Sequence, residues 1–236
     1  MTTEHDDPDD VGPQLLDVAL RKRLVALCDI ASPKRDSWKP ALSTVRFDHN
    51  GAWATDSYAL GHVPLTNLVG PSGHDRRNVD APMLKRALKL ATAKTDRLLL
   101  SLGADWATVT VTKQLSKVWD ATGYTSEAPP TAETVITAHV PYAQVEFPDV
   151  YRLVGDRWDE HLQATDEDDP AAMMMNPALL NKVDALRNPE SSWGLAFRQR
   201  PHPGGMTVGP ESPVEVRDAN GVFVGIVMPM RSGGVR

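Results

Sequence analysis

Cysteine is nearly absent from the sequence, since Cys28 is the single cysteine among 236 residues. A lone cysteine cannot form an intramolecular disulfide and does not favour a cysteine-based metal site. It falls in a predicted helix, where a free thiol is usually buried. The seven histidines show no HxH or HxxxH spacing, and the chain has no P-loop, GxSxG or paired-carboxylate motif. We therefore predict that the protein is not an enzyme and holds neither a metal nor another cofactor.

Long hydrophobic runs are also missing, because no apolar stretch approaches the roughly 18 residues of a membrane-spanning helix. The leader, residues 1–13, is acidic and lacks the apolar core of a signal peptide. Hydrophobic residues still make up 41% of the chain, which is enough for a buried core. These features predict a soluble, cytoplasmic protein with a disordered acidic leader and no membrane partner.

The charge balance is acidic, with a formal net charge of −6. Such a balance argues against a nucleic-acid partner only when the whole protein surface meets phosphate. A protein that collects lysine and arginine on one face can bind DNA with that face alone. The position of the basic residues in the fold is therefore more informative than their number.

Three helices are predicted from apolar residues that recur at helical spacing. They cover Gln14–Ala31, a segment that begins at Asp80-Ala81-Pro82, and Pro177–Arg187. Asp80 is expected to cap the second helix, and Asn176-Pro177 is expected to start the third, because an N-cap side chain followed by proline in the first turn is a typical helix start.

Antiparallel strands are predicted between and after the helices. Hairpin turns are expected at Asp48–Gly51 and Asp218–Gly221, of which the second contains the Asn-Gly pair that favours a tight turn. The predicted strands lie within Pro40–Leu65, Arg97–Gly103, Trp106–Thr112, Val118–Tyr124, Val135–Val140, Trp193–Gln199, Gly205–Val208, Val214–Arg217 and Gly221–Met230. A helix followed by three or four strands thus occurs repeatedly, which predicts an α+β fold with helices packed on antiparallel sheets.

Three short segments carry a resemblance to a known family. Residues 54–60 read ATDSYAL, the connector Phe147–Val154 reads FPDVYRLV, and the tail Ile226–Arg231 reads IVMPMR. In this order they resemble the ATDGHRL segment, the FPDYRRVL connector and the VMPMR tail of the bacterial DNA polymerase III β sliding clamp. The tail is the most specific of the three. The family's Gly-His-Arg is replaced here by Ser-Tyr-Ala.

The resemblance implies a DNA clamp fold in a compact, phage-type version, because the chain is too short for the three domains of the bacterial subunit. The expected organisation is a leader over 1–13, an N-terminal clamp domain over 14–145 and a C-terminal clamp domain over 146–236. The C-terminal domain shows one convincing helix, Pro177–Arg187, and the stretch Val150–Ala164 could hold a second, short and degenerate one. This leaves open whether the domain is complete or reduced.

The function implied by the resemblance is that of a DNA sliding clamp, a processivity factor in DNA replication. Such a protein encircles duplex DNA as a homo-oligomeric ring and holds DNA polymerase and clamp-loader peptides in an apolar pocket. A trimer is favoured, since three two-domain subunits supply six domains. The alternative is a clamp-derived interaction protein that binds replication factors without encircling DNA.

Two sets of site residues follow from the resemblance. Basic side chains on the three helices are expected to face the phosphate backbone without reading bases. They are Arg21, Lys22, Arg23, Lys85, Arg86, Lys89, Lys182 and Arg187. The pocket is expected to offer adaptable apolar side chains to a partner peptide. Its residues are Thr55, Leu60, Pro148, Leu153, Val154, Ile226, Met228, Pro229 and Met230.

Overall fold

The computed structural model describes residues 13–31, 39–65, 68, 76–93, 96–114, 117–119, 125–127, 133–154, 176–188, 194–200 and 212–228. Its helices are α1 (Val18–Ile30), α2 (Ala81–Leu88), α3 (Val150–Val154) and α4 (Pro177–Asp184), with a 3₁₀ turn over Pro40–Ser43. In these ranges, no helix has both the length and the apolar character that crossing a membrane requires.

The strands are short and antiparallel in every observed pair. They are β1 (Gln14–Leu16), β2 (Thr44–Asp48), β3 (Gly51–Thr55), β4 (Ala59–Val63), β5 (Arg77–Asp80), β6 (Arg97–Leu102), β7 (Trp106–Gln114), β8 (Lys117–Trp119), β9 (Thr125–Glu127), β10 (Glu133–Pro141), β11 (Leu195–Gln199), β12 (Val214–Asp218) and β13 (Phe223–Val227). The predicted strand over Gly205–Val208 lies outside the described residues.

Side-chain caps set the helix starts. Asp80 accepts a hydrogen bond from the Met83 amide at 2.9 Å, and Asn176 accepts one from the Ala178 amide at 2.9 Å. Both predicted starts are therefore confirmed. The prediction for the first helix was wrong over its first turn, because Gln14–Leu16 is strand β1. Asp17 is extended and its carboxylate accepts from the Leu20 amide, so α1 begins only after it.

The first two repeated units exchange their leading strands. Each unit consists of a strand, a helix and at least three further strands. Strand β1 of the first unit pairs with β6 of the second, whereas β5 of the second pairs with β2 of the first. The four-stranded sheet has the order β1-β6-β7-β10, and a separate hairpin is formed by β8 and β9. The exchange ties the two units into one body.

The C-terminal strands extend a sheet of the N-terminal part. Strand β13 pairs with β4, which gives a seven-stranded sheet of order β11-β12-β13-β4-β3-β2-β5. Gly225 and Gly61 face each other at this junction. A Cβ on Gly225 would lie 2.2 Å from the Leu60 carbonyl oxygen, so the close approach of the two strands requires glycine there.

Both faces of the seven-stranded sheet are covered, and alternate residues serve each face. Val45, Phe47, Ala52 and Ala54 face the helices in the main core. Trp53 faces the other way, where the connector packs against it and forms a second apolar cluster. The members of that cluster are Trp53, Leu60, Phe147, Val150, Val154, Phe223 and Ile226, with Tyr151 against them. The side with the helices is hereafter the helix side, and the other is the connector side.

Candidate DNA-facing helices and partner pocket

Helix α1 lies between α2 and α4, in contact with both, on the helix side of the seven-stranded sheet. Its buried residues Leu24, Leu27, Cys28 and Ile30 face the core. Burial raises the pKa of the Cys28 thiol to about 12, so this cysteine is an inert core residue, as its predicted burial requires.

Three of the predicted DNA-facing residues are exposed on the helix surfaces. They are Lys22 on α1, and Arg86 and Lys89 on and directly after α2. Helix α2 buries Leu84, Ala87 and Leu88, so Arg86 and Lys89 lie on the opposite, solvent-facing side of that helix.

Three others take part in ion pairs. Lys85 contacts the Asp29 carboxylate of α1, which joins α1 to α2. Lys182 donates to Asp56 at 2.9 Å, and Arg187 donates to Asp184 at 3.0 Å. Their charges are therefore partly matched by neighbouring carboxylates.

Arg21 and Arg23 extend from α1 to the ends of the two flanking helices. Arg21 Nη1 donates to the carbonyl oxygen of Ala91, which follows α2, at 2.7 Å. Arg23 Nε donates to the carbonyl oxygen of Leu186, which follows α4, at 2.6 Å. Burial lowers the pKa of Arg23, and Asp218 and Asp17 oppose that effect. The carbonyl groups at the C-terminal end of a helix have no N–H donor within the helix. The guanidinium groups of Arg21 and Arg23 donate hydrogen bonds to such carbonyl groups.

Several of the residues predicted to line the partner pocket lie close together, but they are buried in the structure. Leu60, Val154 and Ile226 are each at most 5% exposed and belong to the connector-side cluster. Thr55 is also buried, where its hydroxyl donates to the Ala59 carbonyl at 2.8 Å and accepts from the Ser57 amide at 3.1 Å. The side chains of these four residues are therefore enclosed by the protein itself.

The turn between β3 and β4 forms a projecting surface next to the C-terminal strand. Asp56 Oδ1 accepts from the amides of Tyr58 and Ala59. Ser57 has φ of +77°, a left-handed conformation that favours glycine, and glycine is the residue in the resembling family motif. The Met228 amide donates to the Tyr58 carbonyl at 2.8 Å, which joins the backbone at Met228 to that of Tyr58, whose side chain is exposed.

A cavity of about 460 Å³ adjoins this turn. Pro148 of the predicted set lines it, together with Pro40, Leu42, Ser57 and Val145, none of which the sequence indicated. The 3₁₀ turn that carries Pro40 and Leu42 precedes β2, and nothing in its local pattern marks it as a pocket wall. The side chain of Leu153, and all of Pro229 and Met230, lie outside the described residues.

Comparisons with known proteins identify the fold. No protein-family model matches the chain, and no curated protein matches it. Solved structures do match. They include the DNA polymerase III beta chain of Streptococcus pneumoniae (TM-score 0.57, 14% identity, covering 93% of this chain and 65% of that one). The DNA polymerase sliding clamp of Pseudomonas aeruginosa also matches (0.53, 15%, 92% and 67%). So does the DNA polymerase III beta subunit of Thermotoga maritima (0.53, 14%, 94% and 66%).

The repeated helix-and-strands units and these matches define the protein as one with the DNA clamp fold. More particularly, it has the fold of the bacterial DNA polymerase III β subunit. The predicted α+β clamp architecture is confirmed. The chain spans about two thirds of the length of the clamp subunits that it matches.

Proposed function

We propose that this protein is a DNA sliding clamp, a processivity factor that encircles duplex DNA and holds replication partners on it. The fold supports this proposal, and so does the basic surface of the helices. Lys22, Arg86 and Lys89 are exposed on the helix layer, with no side-chain ion pair recorded to any described residue. A basic helix surface of this kind suits phosphate contacts that do not depend on base sequence.

The proposed mechanism is topological. A closed ring needs little direct affinity for DNA, because it leaves only by opening or by sliding off an end. An acidic chain can therefore serve, provided that its exposed cations line the hole. Strands β1 and β11 end the strand orders of the two large sheets among the described residues. Pairing of such edges between copies would close the ring. We favour a trimer, with no catalytic step and a cytoplasmic location.

The partner site we propose is the cavity at the β3–β4 turn. It lies between the 3₁₀ turn, Ser57 and Pro148, and it is next to the surface formed by Tyr58 and Met228. Its apolar lining residues, Pro40, Ala41, Leu42, Val145 and Pro148, suit hydrophobic anchors of a short peptide, and Lys39, Gln144 and Glu146 add polar groups. We assign DNA polymerase and clamp-loader peptides as its occupants, with Pro229, Met230 and the Leu153 side chain as further contacts.

The direct test compares DNA topologies. Protein assembled on nicked circular DNA is washed at high salt, and half of the sample is then cut once with a restriction enzyme. A ring is retained on the circles and released from the linear product. Equal loss from both forms would contradict encirclement and favour the interaction protein that binds replication factors without a ring. The mass of the free protein in solution gives the subunit count, for which we expect three.

A matched pair of variants tests the helix surface. Arg86→Glu reverses an exposed charge in the last turn of α2, whereas Arg152→Glu makes the same change in the last turn of α3. Because α3 lies on the connector side, we expect Arg86→Glu to weaken low-salt binding to open linear duplex, where topology does not retain a ring, and Arg152→Glu to leave that binding unchanged. Equal binding of both variants would show that the helix layer does not meet DNA.

A further inference from the structure

A second cavity, of about 620 Å³, lies on the connector side of the seven-stranded sheet. It is lined by Arg46 of β2, by Arg76 and Asn78 at the start of β5, and by Phe147 and Tyr151 from the connector and α3. It also shares Val145 and Glu146 with the cavity at the β3–β4 turn. The two cavities are therefore neighbours at Val145 and Glu146, which directly precede the connector.

The guanidinium group of Arg46 is buried without adequate acceptors. The residue is 4% exposed. Its Nε lies 3.4 Å from Asp48 Oδ2, which is longer than a strong charge-assisted hydrogen bond. Among the residues that the structure describes, neither Nε nor Nη2 has a hydrogen-bond partner. Burying charged donors in this way is costly unless an acceptor is supplied.

Asp48 fills that role only weakly, because three other donors hold its carboxylate at a distance from Arg46. Oδ1 accepts from the indole nitrogen of Trp53 at 3.1 Å and from the Asn50 amide at 3.0 Å. Oδ2 accepts from the hydroxyl of Tyr151 at 2.8 Å. These three neutral donors hold the carboxylate in place, and Arg46 is left with the one long contact.

The other groups around the cavity add cations, rings and acceptors. Burial lowers the pKa of Arg46, Asp48 opposes this, and the nearby Arg76 lowers it further. The rings of Phe147 and Tyr151 each lie 5.9 Å from the guanidinium carbon, which suits cation–π contact. Asn78 Oδ1 is buried and accepts from no described residue, while Asn78 Nδ2 donates to the Val145 carbonyl at 2.7 Å.

Two carboxylates, Glu146 and Asp149, also line the cavity, and both are exposed. Water and salt screen the exposed charges of Glu146, Asp149 and Arg76 alike, so Nε and Nη2 of the buried Arg46, unpartnered among the described residues, are the main attraction for an anion. The two carboxylates also favour a ligand that carries N–H donors as well as an anionic group. The groups that line the cavity therefore suit a ligand in which a carboxylate lies next to amide N–H groups.

We propose that this cavity binds a carboxylate of a partner peptide, with Arg46 and Arg76 as its donors and Asn78 Oδ1 as the acceptor for a peptide N–H. A planar carboxylate matches the guanidinium fork and can accept two bonds from it. This inference rests on the proposed function, since the occupant is the peptide whose apolar side chain enters the cavity beside Pro148. The shared wall of Val145 and Glu146 lets one short peptide use both cavities.

The test titrates the ¹⁵N-labelled full-length protein with small probes and follows the arginine Nε–H signals by NMR. The probes are acetyl-Leu-Ala-Glu-amide, acetyl-Leu-Ala-Gln-amide, acetyl-Leu-Ala-Gln with a free C-terminus, and inorganic phosphate. We expect one or both of the acidic peptides to bind about tenfold or more tightly than the neutral amide, with a shift of the Arg46 signal. Tighter binding of the Glu peptide would show that the bound carboxylate belongs to a side chain. Tighter binding of the peptide with a free C-terminus would show that it belongs to a chain terminus.

Two results would overturn the proposal. One is equal affinity for the three peptides, and the other is a phosphate-induced shift of Arg46 that no peptide reproduces, which would indicate a site for a free oxyanion. Arg76→Gln is the first variant to examine, because Arg76 is exposed and its replacement leaves the core intact. We expect it to reduce the preference for the acidic peptides severalfold, as Arg46→Gln should also do.

Arg152→Gln is the matched control, since Arg152 is exposed on α3 and is not among the residues that line the cavity. It should retain the full preference for a carboxylate, and a loss equal to that of Arg76→Gln would also contradict the proposal. No DNA enters this experiment. Loss of carboxylate binding with normal retention on circles would therefore reject the cavity assignment alone, and the reverse result would reject the ring alone.

Discussion

Arg23 donates a hydrogen bond from Nε to the carbonyl oxygen of Leu186, 2.6 Å away, and so joins the middle of α1 to the end of α4. The two residues are 163 positions apart in the chain. Because Leu186 belongs to the C-terminal part, this bond also links that part to the N-terminal helices. Arg23 was predicted to face DNA, but in the structure it holds two helices together. Its contribution to the free energy of unfolding can therefore be measured.

Replacing Arg23 by methionine should destabilise the protein by about 1.5–3 kcal/mol, because a charged donor to a helix-end carbonyl is lost while the apolar volume is kept. Urea unfolding measures the change. Lys22→Met is the control, since Lys22 is exposed on the same helix and its replacement should cost less than about 0.5 kcal/mol. Equal losses for the two variants would show that the bond to Leu186 contributes nothing.

His62 should make the folded state sensitive to acid. It is buried, it contacts the Asn50 carbonyl at 2.9 Å, and its ring centroid is 4.1 Å from that of Trp53. Burial lowers its pKa to about 4, against an ordinary value of 6.5. The folded state therefore keeps this histidine neutral in a pH range where the unfolded chain binds a proton. Its contribution is fully present above pH 6.5 and is lost as the pH falls towards 4.

The loss from His62 amounts to roughly 3 kcal/mol of unfolding free energy at pH 4. Urea unfolding of the wild type and of His62→Gln at pH 7 and pH 4 separates this effect from the titration of carboxylates. The pH dependence should be shallower in His62→Gln by about that amount. His49→Gln, which changes an exposed histidine, should follow the wild type. A His62→Gln variant with the wild-type pH dependence would contradict the assigned burial effect.

Ser57→Gly should stabilise the β3–β4 turn. Ser57 is held at φ of +77°, where a side chain is strained and glycine is not. We expect a gain of about 0.5–1 kcal/mol, since part of the relieved strain is offset by the greater entropy of glycine in the unfolded chain. Thermal unfolding measures it. Ser57→Ala keeps the Cβ and should give no gain, so a similar rise for both variants would exclude relief of strain as the cause.

Gly225→Ala should damage the junction between β13 and β4. The added Cβ would lie 2.2 Å from the Leu60 carbonyl oxygen and 3.3 Å from a methyl group of Val183, so the backbone would have to move. We expect a destabilisation of about 2 kcal/mol or more in chemical unfolding. Gly194→Ala is the control, because nothing lies within 4 Å of the Cβ position there. Comparable stability of the two variants would mean that the strands do not approach this closely.

The sequence by itself determined the local features of this protein. Asp80 and Asn176 cap helices where their side chains and the following prolines predict. The Asp218–Gly221 turn and the alternation of Val45, Arg46 and Phe47 are equally local, because a cap, a turn or a strand face depends on residues only a few positions apart. Three short motifs were also sufficient to indicate the clamp fold.

Only the tertiary structure decided which distant segments meet. The exchange of β1 and β5, the pairing of β13 with β4, and the bonds from Arg21 and Arg23 to helix ends join residues far apart in the chain. Period and propensity carry no information about such contacts, because an exposed helix position and one beside another helix have the same spacing. For the same reason Leu60 and Ile226 were expected in an open pocket and are found buried beneath the connector, while Arg46 became notable only once the fold enclosed it.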